Sequence, residues 1–205
     1  MVRRRNIVRL SITLLYVQPR VARRMDVYAD TTLEELHYYL QAAMGWENCH
    51  LWGFDARRYG ERAHWGDDEF GEGGDQTILD VLDFLRGNAD FTYIYDYGDS
   101  WTHRIRIGKI QPARSDRRYP YLVSGVRRCP LEDIGGVWGY QEFLQAFEDP
   151  ESEYREYYPG FFEGEDTWDP DDAELDIRRA DLERYSTYWL MQNKGFHSLA
   201  RRDPV

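Results

Sequence analysis

The sequence predicts an α+β fold, a mixed or antiparallel sheet with a β-grasp-like strand–strand–helix–strand core, covered by C-terminal helices. Three observations carry that expectation. Apolar residues alternate at period two over two paired stretches, 8–16 with 21–28 and 91–95 with 101–107, as half-buried strands require. Between those pairs lies a stretch with a capping signature and an apolar stripe at helical spacing. Two further stripes of that spacing follow toward the C-terminus. With 205 residues, 42% hydrophobic and 16% aromatic, the chain has material for one packed core. It is read as a single domain over 1–195 with a frayed tail at 196–205.

In the first pair, Val8, Leu10, Ile12, Leu14 and Tyr16 face one way and Arg9, Ser11 and Thr13 the other. Gln18-Pro19 breaks the run, and Val21, Arg23, Met25 and Val27 then alternate with Ala22, Arg24 and Asp26, giving an antiparallel hairpin. Thr32 and Glu35 fit a capping box, in which each side chain satisfies an amide left open at the helix start. Leu33, Leu36, Leu40, Ala43 and Met44 make one stripe behind it, and Gly45 ends the helix. His50 to Phe54 reads as a third strand. Residues 55–77 are polar and glycine-rich, a long loop or an extended hairpin. Leu79, Val81, Leu82 and Leu85 mark a short helix stopped by Gly87-Asn88. The strands over 91–95 and 101–107 are joined by Asp96-Tyr97-Gly98-Asp99-Ser100, a run of turn formers. A loop is expected from Gln111 to Gly136, then a helix over 138–147 with Tyr140, Phe143, Leu144 and Phe147 inward. A last helix starts near Asp172, with Leu175, Leu182, Tyr185 and Trp189 on one face.

The net charge of −11 is concentrated in one place. Between Glu148 and Asp176 there are 13 acidic residues and one basic one, Arg155, so this stretch alone carries −12. Its aromatics (Tyr154, Tyr157, Tyr158, Phe161, Phe162, Trp168) predict that it drapes on the domain. The rest is near neutral and rich in arginine, with 24 Arg and two Lys in the whole chain. Two cysteines, Cys49 and Cys129, make no disulfide framework and suit a reducing, cytoplasmic setting. The arginine-rich, apolar opening is not expected to be a secretory signal. Arg9 interrupts its apolar run and no small-residue cleavage site follows. No apolar stretch is long enough for a membrane-spanning helix.

Four segments stand out as motifs. Thr32 to His37 runs on through Gln41-Ala42-Ala43-Met44-Gly45-Trp46 to Leu51; Tyr95 to His103 spans the hairpin turn. Cys129-Pro130-Leu131-Glu132-Asp133-Ile134-Gly135-Gly136 leads to Gly139-Tyr140, and Asp149-Pro150 is echoed by Asp169-Pro170. In this order they resemble the plasmid pRiA4b ORF-3-like family, of the structural class called MM3350-like. Two positions depart from the family's pattern: Ala22, where members usually carry tryptophan, and Leu131, where they usually carry a second proline. The resemblance implies the fold. It implies no settled activity, since some members carry a transposon-resolvase label and others join the module to DNA-binding or zinc-binding domains. An accessory role in mobile-element or regulatory contexts follows by analogy.

Recombinase chemistry is rejected on the residues. Ser11 is the only serine before Ser100 and sits mid-strand. His103 and Arg106 have a His-x-x-Arg spacing, but residues three apart on a strand point to opposite faces. The sharpest constellation is Asp96, Asp99 and His103 on one hairpin, with Glu132 and Asp133 on a later loop. Carboxylates with an imidazole suit Mg²⁺, Mn²⁺ or Zn²⁺, or acid–base work. The plainer reading has Asp96 and Asp99 holding a tight turn around Gly98, and His103 sharing a core face with Trp101, Ile105 and Ile107. Cys49, His50, His103 and Cys129 are potential zinc ligands, but Cys49 and His50 would point apart on a strand and no Cys-x-x-Cys pair exists. The adjoining Gly135-Gly136 either lets a ligand approach the backbone or merely permits a turn.

Arg20, Arg23, Arg24, Arg127 and Arg128, with Arg3, Arg4 and Arg5, would make a phosphate-contacting patch if their loops converge. The same arginines would serve equally well as partners of the acidic segment, because a guanidinium fork meets a carboxylate bidentately. The sequence therefore favours a non-enzymatic interaction module. A metal-dependent hydrolase or nuclease built on Asp96, Asp99 and His103, and an arginine-mediated nucleic-acid binder, are the alternatives. No cofactor is expected unless the hairpin carboxylates hold a divalent metal. The expected partner is another protein, or a second copy of the chain, meeting residues 148–176; nucleic acid is not favoured, and no membrane is involved.

Overall fold

A computed structural model describes residues 5–67, 73–158, 161–162 and 168–190. The expected tail at 196–205, Arg3, Arg4 and the side chain of Trp189 lie outside the described residues. Those residues contain one seven-stranded sheet: β1 (Asn6–Leu14), β2 (Ala22–Tyr28), β3 (Trp52–Arg58), β4 (Glu61–Gly66), β5 (Asp90–Tyr95), β6 (Trp101–Pro112) and β7 (Tyr121–Val126). Its order is β4-β3-β5-β6-β1-β2-β7, and every pairing is antiparallel. Four helices accompany it: α1 (Leu33–Met44), α2 (Ile78–Leu85), α3 (Gly136–Glu148) and α4 (Leu175–Leu190). A short 3-10 turn spans Glu153–Tyr157. The fold is α+β, with the strand–strand–helix–strand order in place. However, β5 and β6 intervene between the β1–β2 hairpin and β3.

The alternation in β1 sets the core. Val8, Leu10, Ile12 and Leu14 are buried at 2% exposure or less, because their shared face is covered while Arg9, Ser11 and Thr13 look the other way. The polar 55–77 excursion is the hairpin of β3 and β4. It turns on Tyr59 (φ +44) and Gly60 (φ +90), two left-handed residues that match the twist of the strands they join. β7 occupies part of the stretch expected as loop. Its only fully buried side chain is Leu122, so it offers no apolar alternation to read.

Both α1 and α2 begin with capping boxes, Thr32 with Glu35 and Thr77 with Asp80. The two helix starts are stitched together. The Leu33 amide donates to the Gln76 carbonyl at 2.8 Å, the Ile78 amide to the Thr31 carbonyl at 3.0 Å, and Thr32 bridges Thr77. This satisfies amides that a helix start otherwise leaves open. α4 lies against α1 and β7, where Arg179 Nε donates to the Leu122 carbonyl at 3.0 Å. α3 carries the described part of the acidic segment. Phe143 has Tyr158, Phe161, Phe162 and Trp168 around it at ring-centroid distances of 4.8–5.7 Å, edge-to-face for all but Phe162. The Tyr158 hydroxyl also donates to the Gly139 carbonyl at 2.9 Å.

Candidate functional site

Sheet register brings three loops to one end of the molecule. Trp52 on β3 stands opposite Tyr95 on β5, so the loop ahead of β3 meets the turn after β5, and the Asp96 amide donates to the Leu51 carbonyl at 3.0 Å. Cys49 and His50 therefore sit in a loop, not in the strand expected to begin at His50. Asn48, at φ +56, turns the chain there. Strand alternation does not apply to this loop, so Cys49 and His50 do not diverge. One ligand atom each from Cys49, His50 and Glu132 lies within 4.8 Å of the others.

The Cys129–Gly136 loop closes the junction. Glu132 Oε1 accepts from the Tyr95 hydroxyl at 3.0 Å and from the Glu47 amide at 2.8 Å. Asp99 Oδ2 accepts from the Gly135 amide at 3.2 Å. Gly136 must be glycine: its φ is +66, and a Cβ would stand 2.8 Å from the Asp99 carbonyl oxygen. These contacts place His50 Nε2 at 3.1 Å from Asp133 Oδ1 and 3.7 Å from Asp96 Oδ2. Asp96 is buried, and its Oδ1 accepts from the Gly98 amide at 2.8 Å, the turn chemistry its position suggested. Asp96 and Asp133 both adopt left-handed backbone conformations, at φ +54 and +52, which aspartate tolerates better than most residues. Burial pushes the Glu132 carboxyl above its ordinary range, with the Glu47 and Tyr95 hydrogen bonds opposing it.

Of the residues expected to form an acid–base or metal site, Asp96, Glu132 and Asp133 are at this junction, and Asp99 binds backbone beside it. His103 is not part of the junction. It is fully buried on β6, where register sets it opposite Tyr93 and Leu14, and its ring meets Trp46 and Tyr93 at 5.3 Å each. Neither ring nitrogen has a hydrogen bond of good geometry, and burial pushes its pKa down to about 3. The imidazole at the junction belongs to His50. The signal that finds it is register: once residue 52 pairs with 95, residue 50 must lie beside the Asp96 turn. His37, at the margin of its helix stripe, is also buried. It lies between the Tyr93 hydroxyl (2.8 Å) and Asn48 Oδ1 (2.6 Å), stacked on Trp52, and burial brings its pKa to about 3.

Of the arginines expected to form a patch, Arg20, Arg23 and Arg24 line one cavity, while Arg23, Arg127 and Arg128 are engaged within the chain. Arg23 is 2% exposed. Its Nε donates to the Ala43 carbonyl at 2.7 Å, and its Nη1 to the carbonyls of Ala22, Val126 and Arg127 at 2.9, 3.2 and 2.8 Å. Arg127 pairs with Asp171, and Arg128 with Glu174 at 2.9 Å. Arg20 and Arg24 are exposed and help line a cavity of about 380 Å³ with Ser124 and Gly125. A cavity of about 830 Å³ lies between β7, α1 and α4. Neither cavity includes His50, Asp96 or Asp133.

The antiparallel sheet and the loop junction at its end define an α+β class of protein in which parts of three of the sequence motifs, Trp46–Leu51, Asp96–Ser100 and Cys129–Gly136, meet at one end of the sheet. The chain belongs to the plasmid pRiA4b ORF-3-like protein family, whose sequence profile matches residues 6–177. It is 42% identical over 151 residues to the uncharacterized protein y4hQ of Sinorhizobium fredii, covering 72% of this chain and 76% of that one. The crystal structure of MM3350, a protein of unknown function from Methanosarcina mazei Go1, matches with a TM-score of 0.73 at 31% identity, over 83% of this chain and 96% of that one. No helix among the described residues is long and apolar enough to cross a membrane.

Proposed function

We propose that the protein is a non-enzymatic interaction module that docks a basic protein surface through residues 148–157. The supporting observation is the uneven use of the acidic segment's charge. Asp171, Glu174 and Asp176 pair with Arg127, Arg128 and Arg179, which offsets much of that end's charge within the chain, while Asp169 and Asp172 stay exposed and form no ion pair among the described residues. Glu148, Asp149, Glu151, Glu153 and Glu156 are exposed and form no ion pair among the described residues. Tyr157, beside them, is 65% exposed. The strip is held in shape: Arg155 donates to the Ala146 carbonyl at 2.9 Å and lies over the Phe162 ring. A preshaped strip loses little freedom on docking, and a row of carboxylates around an aromatic suits arginine- and lysine-bearing partners. The nucleic-acid alternative loses support because Arg23, Arg127 and Arg128 are engaged inside the chain. A plasmid or regulatory setting rests on the family's name alone.

The test is photo-crosslinking in an extract of the native cells from a probe at position 157, at two salt concentrations, with the wild type and the triple variant Glu151→Gln, Glu153→Gln, Glu156→Gln. The reading expects one basic protein, captured at low salt, weakened at high salt and lost in the variant. A partner indifferent to the triple variant, or no partner, overturns it. A second reading, metal-dependent hydrolysis, has one observation in its favour, the His50–Asp96–Asp133 cluster. Its test is cleavage of a phosphodiester by the Mn²⁺-loaded chain, which must vanish in His50→Ala.

A further inference from the structure

We infer that His50, Asp96 and Asp133 hold one divalent transition-metal ion, of the zinc or manganese class, at the junction of the three loops. This site is separate from the docking strip at 148–157 and does not depend on it. The His50–Asp133 distance fits shared ligation, and the His50–Asp96 distance lies about 0.1 Å beyond it. Two ligand atoms that are each about 2.0–2.2 Å from one ion stand roughly 2.8–3.6 Å apart at tetrahedral to octahedral angles. His50 Nε2 lies 3.1 Å from Asp133 Oδ1 and 3.7 Å from Asp96 Oδ2.

Direction separates this from an ordinary ion pair. Nε2 is shielded from water yet forms no hydrogen bond, although a carboxylate oxygen is only 3.1 Å away. The oxygen must therefore lie off the axis along which the ring nitrogen donates or accepts. That off-axis placement is what ligands of a common ion have, because each points at the ion and not at its neighbour. Glu132 adds a second unpartnered atom, its Oε2, which is also shielded from water. Glu132 and Cys49 each bring a ligand atom within reach of His50, so the donor supply extends past the three named residues.

Charge and access agree with the geometry. Two carboxylates and a neutral imidazole balance a divalent cation. The Asp133 side chain is 73% exposed, which leaves a route in from solvent, while Asp96 is fixed from behind by its bond to the Gly98 amide. An imidazole among carboxylates selects zinc or manganese over magnesium and calcium, which prefer all-oxygen sets.

The experiment is calorimetric titration of the chelator-stripped full chain with Zn²⁺ and Mn²⁺, paired with thermal melts. One ion per chain and a higher melting temperature are expected for at least one of the two ions. His50→Ala and Asp133→Asn should each weaken binding at least about tenfold. His64→Ala, which removes a histidine 3.0 Å from Asp55 on the β3–β4 hairpin, should bind as the wild type does. Should His50→Ala fail to fold, Asp96→Asn reads the same site, since asparagine keeps the turn bond to Gly98. No binding of either ion, or undiminished binding in the folded cluster variants, overturns the inference. Either result leaves the crosslinking at position 157 unaffected, so the two proposals fail separately.

Discussion

Arg9 and Asp26 face each other across β1 and β2 and are joined by two parallel hydrogen bonds, Nε to Oδ1 at 2.7 Å and Nη2 to Oδ2 at 2.9 Å. The Asp26 side chain is 3% exposed and that of Arg9 38%, so the carboxylate depends on the guanidinium for its solvation. Their hydrogen bonding raises the Arg9 pKa. Arg9→Leu strands a buried charge and should cost about 3 kcal/mol, whereas Asp26→Asn should cost about 1–2 kcal/mol. The double variant should cost less than the sum of the two. Urea unfolding of the four proteins measures this coupling.

Arg23→Lys should destabilise the fold by about 2–4 kcal/mol despite keeping the charge. A lysine ammonium has no planar fork, so the carbonyls of Ala43, Ala22, Val126 and Arg127 cannot all keep a donor. Guanidinium chloride midpoints at neutral pH would show the loss. An unchanged midpoint would mean that water replaces the fork at no cost.

Acid should weaken the protein through two histidines. Burial holds His37 and His103 at pKa values of about 3, well under the ordinary value of about 6.5. Below that ordinary value the unfolded chain takes up protons that the folded chain refuses, so stability falls as pH drops toward 3. At pH 5 each histidine should cost about 2 kcal/mol relative to neutral pH. His103→Leu, which removes one buried imidazole with no well-formed hydrogen bond, should remove about half of that acid loss. Denaturation of both proteins at pH 7 and pH 5 decides the matter; equal acid loss in the two would exclude His103 as a contributor.

Trp168 joins the acidic segment to α3, against Phe143 at 4.9 Å and Phe147 at 5.1 Å, with Arg128 over its ring. Trp168→Ala should free the segment while the sheet stays folded. Limited proteolysis should then cut between 158 and 175 much faster than in the wild type, leaving the rest of the chain protected. Loss of the whole cooperative melt would show instead that the segment and the sheet fold as one unit.

Features encoded by neighbours in sequence are legible in it. The Thr32–Glu35 box, the Gly45 stop and the Asp96–Ser100 turn depend on residues a few positions apart, and each can be read from the chain. The inward face of β6 is legible too, because alternation places His103 with Trp101, Ile105 and Ile107, all buried. What is not legible is set by pairing between distant segments. Nothing local says that β5 and β6 insert between the first hairpin and β3, or that His50 comes to rest beside Asp133, 83 positions on. Arg23 makes the same point. Alternation puts it on the core face, but the four carbonyls that let a charge stay there come from three separate parts of the chain.

Those carbonyls include Val126 and Arg127, at the end of β7, the outermost strand beside β2. β7 is short and has one fully buried side chain, so packing alone gives it a weak hold. By clasping its end to α1 and β2, Arg23 keeps the outer row of β2 amides and carbonyls capped. An uncapped row would offer another molecule a template for strand addition. The arginine at position 23 thus decides where the sheet ends: with its hold the margin is β7, and without it the margin would fall back to β2.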